Sequence, residues 1–232
     1  MVKLDSRNFS RVVFFGILTT ILLGVFYYIF FGVTELHLSG NDFVSYLTGG
    51  QILKKGEGEL IYNIKSQTAH QKDIIGVYAR EVALPFKALP FVGLFFIPLT
   101  LFPVLVGYRL FAILNFFLLL GFTLYSRRIF KRIKTYSFWF LIPFVFLSSV
   151  SVIIQGQISF FLSFLVLLLF LSIKTKRGHF SGILSGLLLI KPQYIIALPF
   201  FFVLAKDKRR FLYGFGLSFI LLLFLSIYLS GF

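Results

Sequence analysis

The sequence predicts an all-α polytopic membrane protein, a helical bundle with about seven membrane helices and interfacial helices in the first external loop. Three observations predict the membrane bundle. Hydrophobic residues make up 58% of the 232 residues and charged residues 13%, more apolar side chain than a soluble domain of this length can bury. Apolar runs of spanning or near-spanning length recur along the chain. The basic residues gather in short clusters between those runs, so the net charge of +15 reads as a positive-inside bias and no nucleic-acid partner is expected. With no cysteine, the chain has neither disulfide nor thiolate metal site.

The basic start, with Lys3, Arg7 and Arg11, precedes the apolar run 12–33. That run is too long for a signal-peptide core, and no small-residue cleavage site follows it. It reads as a first membrane helix with its N-terminus in the cytoplasm. Residues 34–89 are the longest polar stretch, with as many acidic as basic residues, and fit the external face. Gly40 and Asn41 mark a turn. Phe43, Tyr46, Leu47, Gln51, Ile52 and Leu53 follow with approximate helical spacing, so an amphipathic helix resting on the outer surface is expected. Asp42 heads that helix. It either caps the N-terminus or stands free at the water–lipid boundary as a general base.

The short apolar run 90–102, broken by Pro98 and closed by Pro103, predicts a second helix in the outer interface. The chain is then one membrane domain, 1–232, with a first helix 12–33, an external segment 34–103 and the remaining membrane helices in 104–232. Run 104–125 crosses inward to Arg127, Arg128, Lys131, Arg132 and Lys134. Arg109 falls in the outer third of this crossing, and either snorkels outward or faces a cavity. Runs 136–155 and 158–173 go out and back around Gln155-Gly156-Gln157. That turn has spare amides for a hydroxyl-rich ligand, or serves only as a turn.

The cluster Lys174, Lys176 and Arg177 precedes segment 179–205, and Lys206, Lys208, Arg209 and Arg210 follow it, so the segment leaves and returns. Its arms, 179–190 and 193–205, rise roughly 18–20 Å each, short of a ~30 Å hydrocarbon core. The pair reads as a membrane hairpin with Lys191 and Pro192 at its tip. A lysine in hydrocarbon costs about 2.5–3.5 kcal/mol on insertion scales. Lys191 either snorkels or lines a cavity open to the outer side, where broken helices are tolerated. Run 211–230 is the last helix.

Asp42, Arg109, Gln157 and Lys191 all fall at or just below the outer face. A carboxylate, amides and two cations beside lipid suit a ligand with an anionic head, a greasy tail and hydroxyl groups, as in a lipid-phosphate sugar. Glu35, His37 and His70 lack a metal-ligand spacing. No Gly-rich phosphate loop or GxSxG elbow occurs.

The order "NDFVSYLTGGQILKKGE", "LPFKALPFVGLFFIPLTLFP", "GQISFFLSFLVLL", "SGILSGLLLIKPQYIIALPFFF" and "KDKRR" resembles glycosyltransferase family 87. Its members are GT-C-fold α-mannosyltransferases that use polyprenyl-phosphate mannose. The resemblance implies that Asp42 is the catalytic base, that Gln157 belongs to the family's GQ and that Lys191 and Pro192 are its KP. On this reading Lys191 and Arg109 bind the donor phosphate, and Gln157, Tyr46 and Gln193 contact sugar or acceptor. No metal or cofactor is implied. The partners are a polyprenyl-phosphate sugar and a lipid or glycan acceptor, met at the external face of the cell membrane. The family's aromatic-Pro-Pro pattern is reduced here to Pro90 of Ala88-Leu89-Pro90. Family members are longer, with more membrane helices, so the resemblance also implies a chain shortened at its C-terminus. A small transporter or lipid-handling membrane protein is the alternative, since transporters also use broken helices. A non-catalytic shortened homologue is the third possibility.

Overall fold

The computed structural model describes residues 6–129 and 142–231. Among these the regular structure is helical throughout. In chain order the α-helices are α1 Ser6–Tyr27, α2 Glu35–Leu38, α3 Asp42–Lys54, α4 Ile64–Ile75, α5 Pro90–Leu94 and α6 Val104–Ile129. They continue as α7 Ile142–Val145, α8 Leu147–Ile154, α9 Ser159–Lys174, α10 Gly178–Gly186, α11 Leu198–Leu204 and α12 Lys208–Leu229. Lys131, Arg132, Lys134 and the first part of the expected run 136–155 lie outside the described residues, as does Lys3.

Among the described residues three helices are long and apolar enough to cross a membrane: Val12–Gly32, Val104–Arg127 and Lys208–Leu229. A fourth crossing is counted if α8 and α9, bent by 119° at their junction, form one broken span. The expected count of about seven is therefore not confirmed among the described residues. The physical reason is segment length. α9 has 16 residues, which rise roughly 24 Å, and the stretches 178–190 and 192–204 are shorter still.

Residues 34–103, expected from the sequence as an external segment, correct two further expectations. α3 is not a surface amphipathic helix: Phe43 through Gly50 are all buried. Paired glycines permit this. A Cβ on Gly49 would stand 2.7 Å from the Phe86 ring, and one on Gly50 would stand 3.0 Å from the Phe96 backbone. Run 90–102 is not one interfacial helix but α5 followed by a 3₁₀ turn, Ile97–Leu101, with Phe91, Val92 and Phe96 buried. Phe43, Phe96, Tyr108 and Phe111 then pack ring against ring at 5.1–6.4 Å, locking the external segment onto α6.

The two ends of the bundle differ in charge. α6 starts beside α3, where Tyr108 Oη donates to the Ile154 carbonyl at 2.9 Å, and runs away to Arg127. α9 runs from Ser159, near Lys191, to Lys174, and α10 returns to the break at Lys191. α11 leaves again, and α12 comes back until Leu229 meets Gly58 of the external segment. Arg127, Lys174, Lys176, Arg177, Lys206, Lys208, Arg209 and Arg210 therefore share one end. Asp42, Gln157 and Lys191 share the other.

α10 and α12 make the most extensive helix contact among the described residues. Gly178, Gly182 and Gly186 recur every four residues and form one stripe on α10. Opposite them stand Arg210, Phe211, Gly214 and Ser218 of α12. A Cβ at Gly182 would strike the Phe211 carbonyl oxygen, and one at Gly214 the His179 carbonyl oxygen. Small residues let two membrane helices approach backbone to backbone. This contact fixes the arm that carries Lys191.

Candidate active site

The break at Lys191 follows from its neighbour. Pro192 has no N–H, and its ring disfavours the helical conformation in the residue before it. The helix accordingly tightens into a 3₁₀ turn at Leu187–Ile190, and Lys191 turns extended at φ −126 and ψ 99. The hairpin tip expected from the sequence is thus present. Lys191 Nζ donates to Ser159 Oγ at 3.2 Å, Ser159 Oγ to Gln157 Oε1 at 3.1 Å, and Gln157 Nε2 to Gln155 Oε1 at 2.9 Å.

The same turn is bonded to the start of α3. The Phe43 amide donates to the Gln155 carbonyl at 3.1 Å, and Asn41 Nδ2 to the Ile154 carbonyl at 2.9 Å. Gly156 has φ +60, and a Cβ there would stand 2.5 Å from Phe43 Cβ. Only glycine meets both demands, a left-handed backbone and contact with α3. Asp42 and Lys191 therefore each hang on one turn, Gln155-Gly156-Gln157.

Asp42 does not cap α3. Asn41 holds the cap position, Asp42 is the first helical residue, and its carboxylate accepts no hydrogen bond from the described residues. It lines a cavity of about 170 Å³ whose floor is Asp42, Ser45 and Tyr46 of α3. Ile190, Lys191, Pro192 and Gln193 of the hairpin tip also line it, as do Pro85, Lys87 and Ala88. Asp42 and Lys191 act on each other electrostatically across this space but form no direct ion pair. Burial, and then the Asp42 charge, push the Tyr46 phenol well above its ordinary pKa, so Tyr46 offers a neutral O–H beside the carboxylate.

Of the candidate residues, Asp42, Tyr46, Lys191 and Gln193 meet in this cavity, and Gln157 reaches it through Ser159. Arg109 does not border it. It lies three and four residues before Ala112 and Ile113, which line the crevice against α1, and so shares that face of α6. Its Nε is buried and has no hydrogen-bond partner among the described residues. Sequence reading missed Ser159, Ser45 and Lys87. Ser159 follows the GQ pair by two residues, but nothing local distinguishes it from a helix-starting serine.

A second cavity, of about 370 Å³ and almost wholly apolar, adjoins the first. Phe95, Leu110, Phe111, Leu114, Leu118 and Phe161 line it, and Ile190 borders both spaces. Among the described residues, no group of three His, Asp or Glu side chains could hold a metal ion.

Comparison with known families settles the class. The sequence model of glycosyltransferase family 87 matches residues 90–232. The chain belongs to glycosyltransferase family 87. It is accordingly a membrane glycosyltransferase by family. The family 87 match contains Gln157, Ser159 and Lys191, and starts after Asp42, Tyr46 and Lys87. No curated protein and no solved structure matches the chain.

Proposed function

We propose that this family 87 chain transfers a hexose, assigned as mannose, from a polyprenyl-phosphate donor to a hydroxyl of a lipid or glycan acceptor, with inversion. The observation that carries the reading is the cavity that Asp42 and Lys191 both line, with Ile190 bordering both it and an apolar chamber. The donor phosphate stands at Lys191, and the first isoprenoid units enter the apolar chamber. Gln193, Tyr46 and Gln157 are the polar groups nearest the sugar and the acceptor. Arg109 has no part in this reading, because it does not border the cavity.

The acceptor oxygen attacks the anomeric carbon, and the bond from that carbon to the phosphate oxygen breaks. The electron pair stays on the phosphate, and Asp42 takes the acceptor proton. The Lys191 ammonium stabilises the charge that gathers on the leaving phosphate, more strongly in a site partly screened from water. A single displacement inverts the anomeric centre, so a β-linked donor gives an α-linked product. The basic clusters at the far end of the bundle favour a cytoplasmic position for that end, and with it an external position for the cavity.

Membranes containing the chain, supplied with radiolabelled polyprenyl-phosphate mannose and a panel of lipid and glycan acceptors, test this directly. Label is expected to pass to one acceptor class from wild type and not from Asp42→Asn. Equal transfer by the two proteins would remove Asp42 from the base role. No transfer to any acceptor, with the donor bound and intact, would favour a non-catalytic homologue.

A further inference from the structure

We propose that Lys87, which lines the same cavity as Lys191, is a second phosphate-binding cation, so that the donor's anionic group is held by two ammonium groups. The inference rests on the donor reading above. Lys87 sits on residues 83–88, a stretch without regular secondary structure. Side chains of α3 and α4 hold it in place. Ala83 N donates to Thr68 Oγ1 at 3.1 Å, and Leu84 N and Phe86 N donate to the side-chain oxygens of Gln71 and Gln67 at 3.2 and 2.8 Å. The Leu84 carbonyl accepts from Gln71 Nε2 at 2.8 Å, and the Pro85 carbonyl from Ser45 Oγ at 2.9 Å. The Ala88 carbonyl accepts from Tyr62 Oη at 2.9 Å.

Gln67 and Gln71 are each 1% exposed, one turn apart on α4. Two buried amides spent on an irregular stretch fix it as firmly as a paired strand. Phe86 and Ala88 point into the core at 2% and 7% exposure, and Lys87 between them is exposed and borders the cavity. A lysine meant only for solvation needs no such mounting.

The charges favour a phosphate over a neutral sugar as the group these lysines meet. A donor phosphodiester carries about one negative charge and a released phosphate monoester about two. Asp42 loses one negative charge when it takes the acceptor proton. Carboxylate plus phosphate therefore sum to about two negative charges before and after transfer, and Lys87 with Lys191 balance them throughout. One lysine alone would leave the product phosphate half neutralised.

The test is binding of farnesyl phosphate to the purified full chain in nanodiscs, with farnesol as the uncharged control. Lys87→Gln is expected to weaken farnesyl phosphate binding about ten-fold or more, to leave farnesol binding unchanged and to flatten the salt dependence. Lys87→Arg should retain most of the affinity. Lys65→Gln, on the same external segment beside a separate surface groove, should bind as wild type does. If wild type binds farnesyl phosphate and Lys87→Gln binds it equally well, the second cation is refuted and the donor reading stands. If wild type binds farnesol and farnesyl phosphate alike, the donor reading and this inference both fall.

Discussion

Lys191 Nζ donates to Ser159 Oγ at 3.2 Å, across 32 residues of sequence, and this bond ties the tip of the membrane hairpin to the Gln155-Gly156-Gln157 turn. The turn is in turn bonded to the backbone of Phe43, one residue from Asp42. The cation and the segment carrying the carboxylate are thus both tied to one turn. A fixed gap between base and cation is what a displacement reaction needs, because misplacement by an ångström costs rate steeply.

The Lys191 substitutions separate charge from geometry. Lys191→Met is expected to lose donor binding and almost all transfer. Lys191→Arg should keep binding but turn over more slowly, since a planar guanidinium does not place its charge where an ammonium does. Ser159→Ala leaves the charge but frees its position, so kcat should fall about ten-fold with KM for the donor little changed. Steady-state kinetics on the three variants in proteoliposomes would check this. A Ser159→Ala enzyme with wild-type kcat would show that the bond positions nothing.

Gly156→Ala should disturb Asp42 from a distance. The left-handed backbone at φ +60 costs a non-glycine residue about 1–2 kcal/mol, and the new methyl also meets Phe43. A lower thermal unfolding midpoint in detergent is expected, with transfer reduced further than stability alone explains. Gly216→Ala is the control, because a Cβ there meets nothing within 4 Å.

Gly182→Val drives α10 from α12. The added Cβ strikes the Phe211 carbonyl oxygen, backbone that cannot swing aside as a side chain would. A loss of about 1–3 kcal/mol is the usual scale for overpacking, and a close helix pair stands at its upper end. Fluorescence-detected gel filtration should show less folded protein. If the surviving fraction binds farnesyl phosphate as wild type does, the α10–α12 contact is not what seats Lys191.

Much of this site was legible in the sequence because it violates a rule. A lysine followed by proline inside an apolar run breaks the helix for a local steric reason, so Lys191 could be placed at a hairpin tip without a structure. Gln155-Gly156-Gln157 was legible as a turn for a similar reason. What could not be read depends on contacts between distant segments. Gly49 and Gly50 look like weak points of a surface helix until Phe86 and Phe96 occupy the space they leave. Arg109 was placed by its depth in a helix, but depth says nothing of azimuth, and its face turns toward α1. Lys87 owes its position to two glutamines of α4. The count of about seven spans is not confirmed among the described residues, because several apolar runs there form helices shorter than a crossing.

The meeting of Asp42 and Lys191 in one cavity is tested most directly by cross-linking, for which a chain without cysteine is a clean background. With Asp42→Cys and Lys191→Cys in one molecule, a short bifunctional methanethiosulfonate added to intact cells should join the two positions. The pair Asp42→Cys and Lys174→Cys, at opposite ends of the bundle, should stay unlinked. A link in the second pair, or labelling of positions 42 and 191 from opposite sides of the membrane, would contradict the shared site.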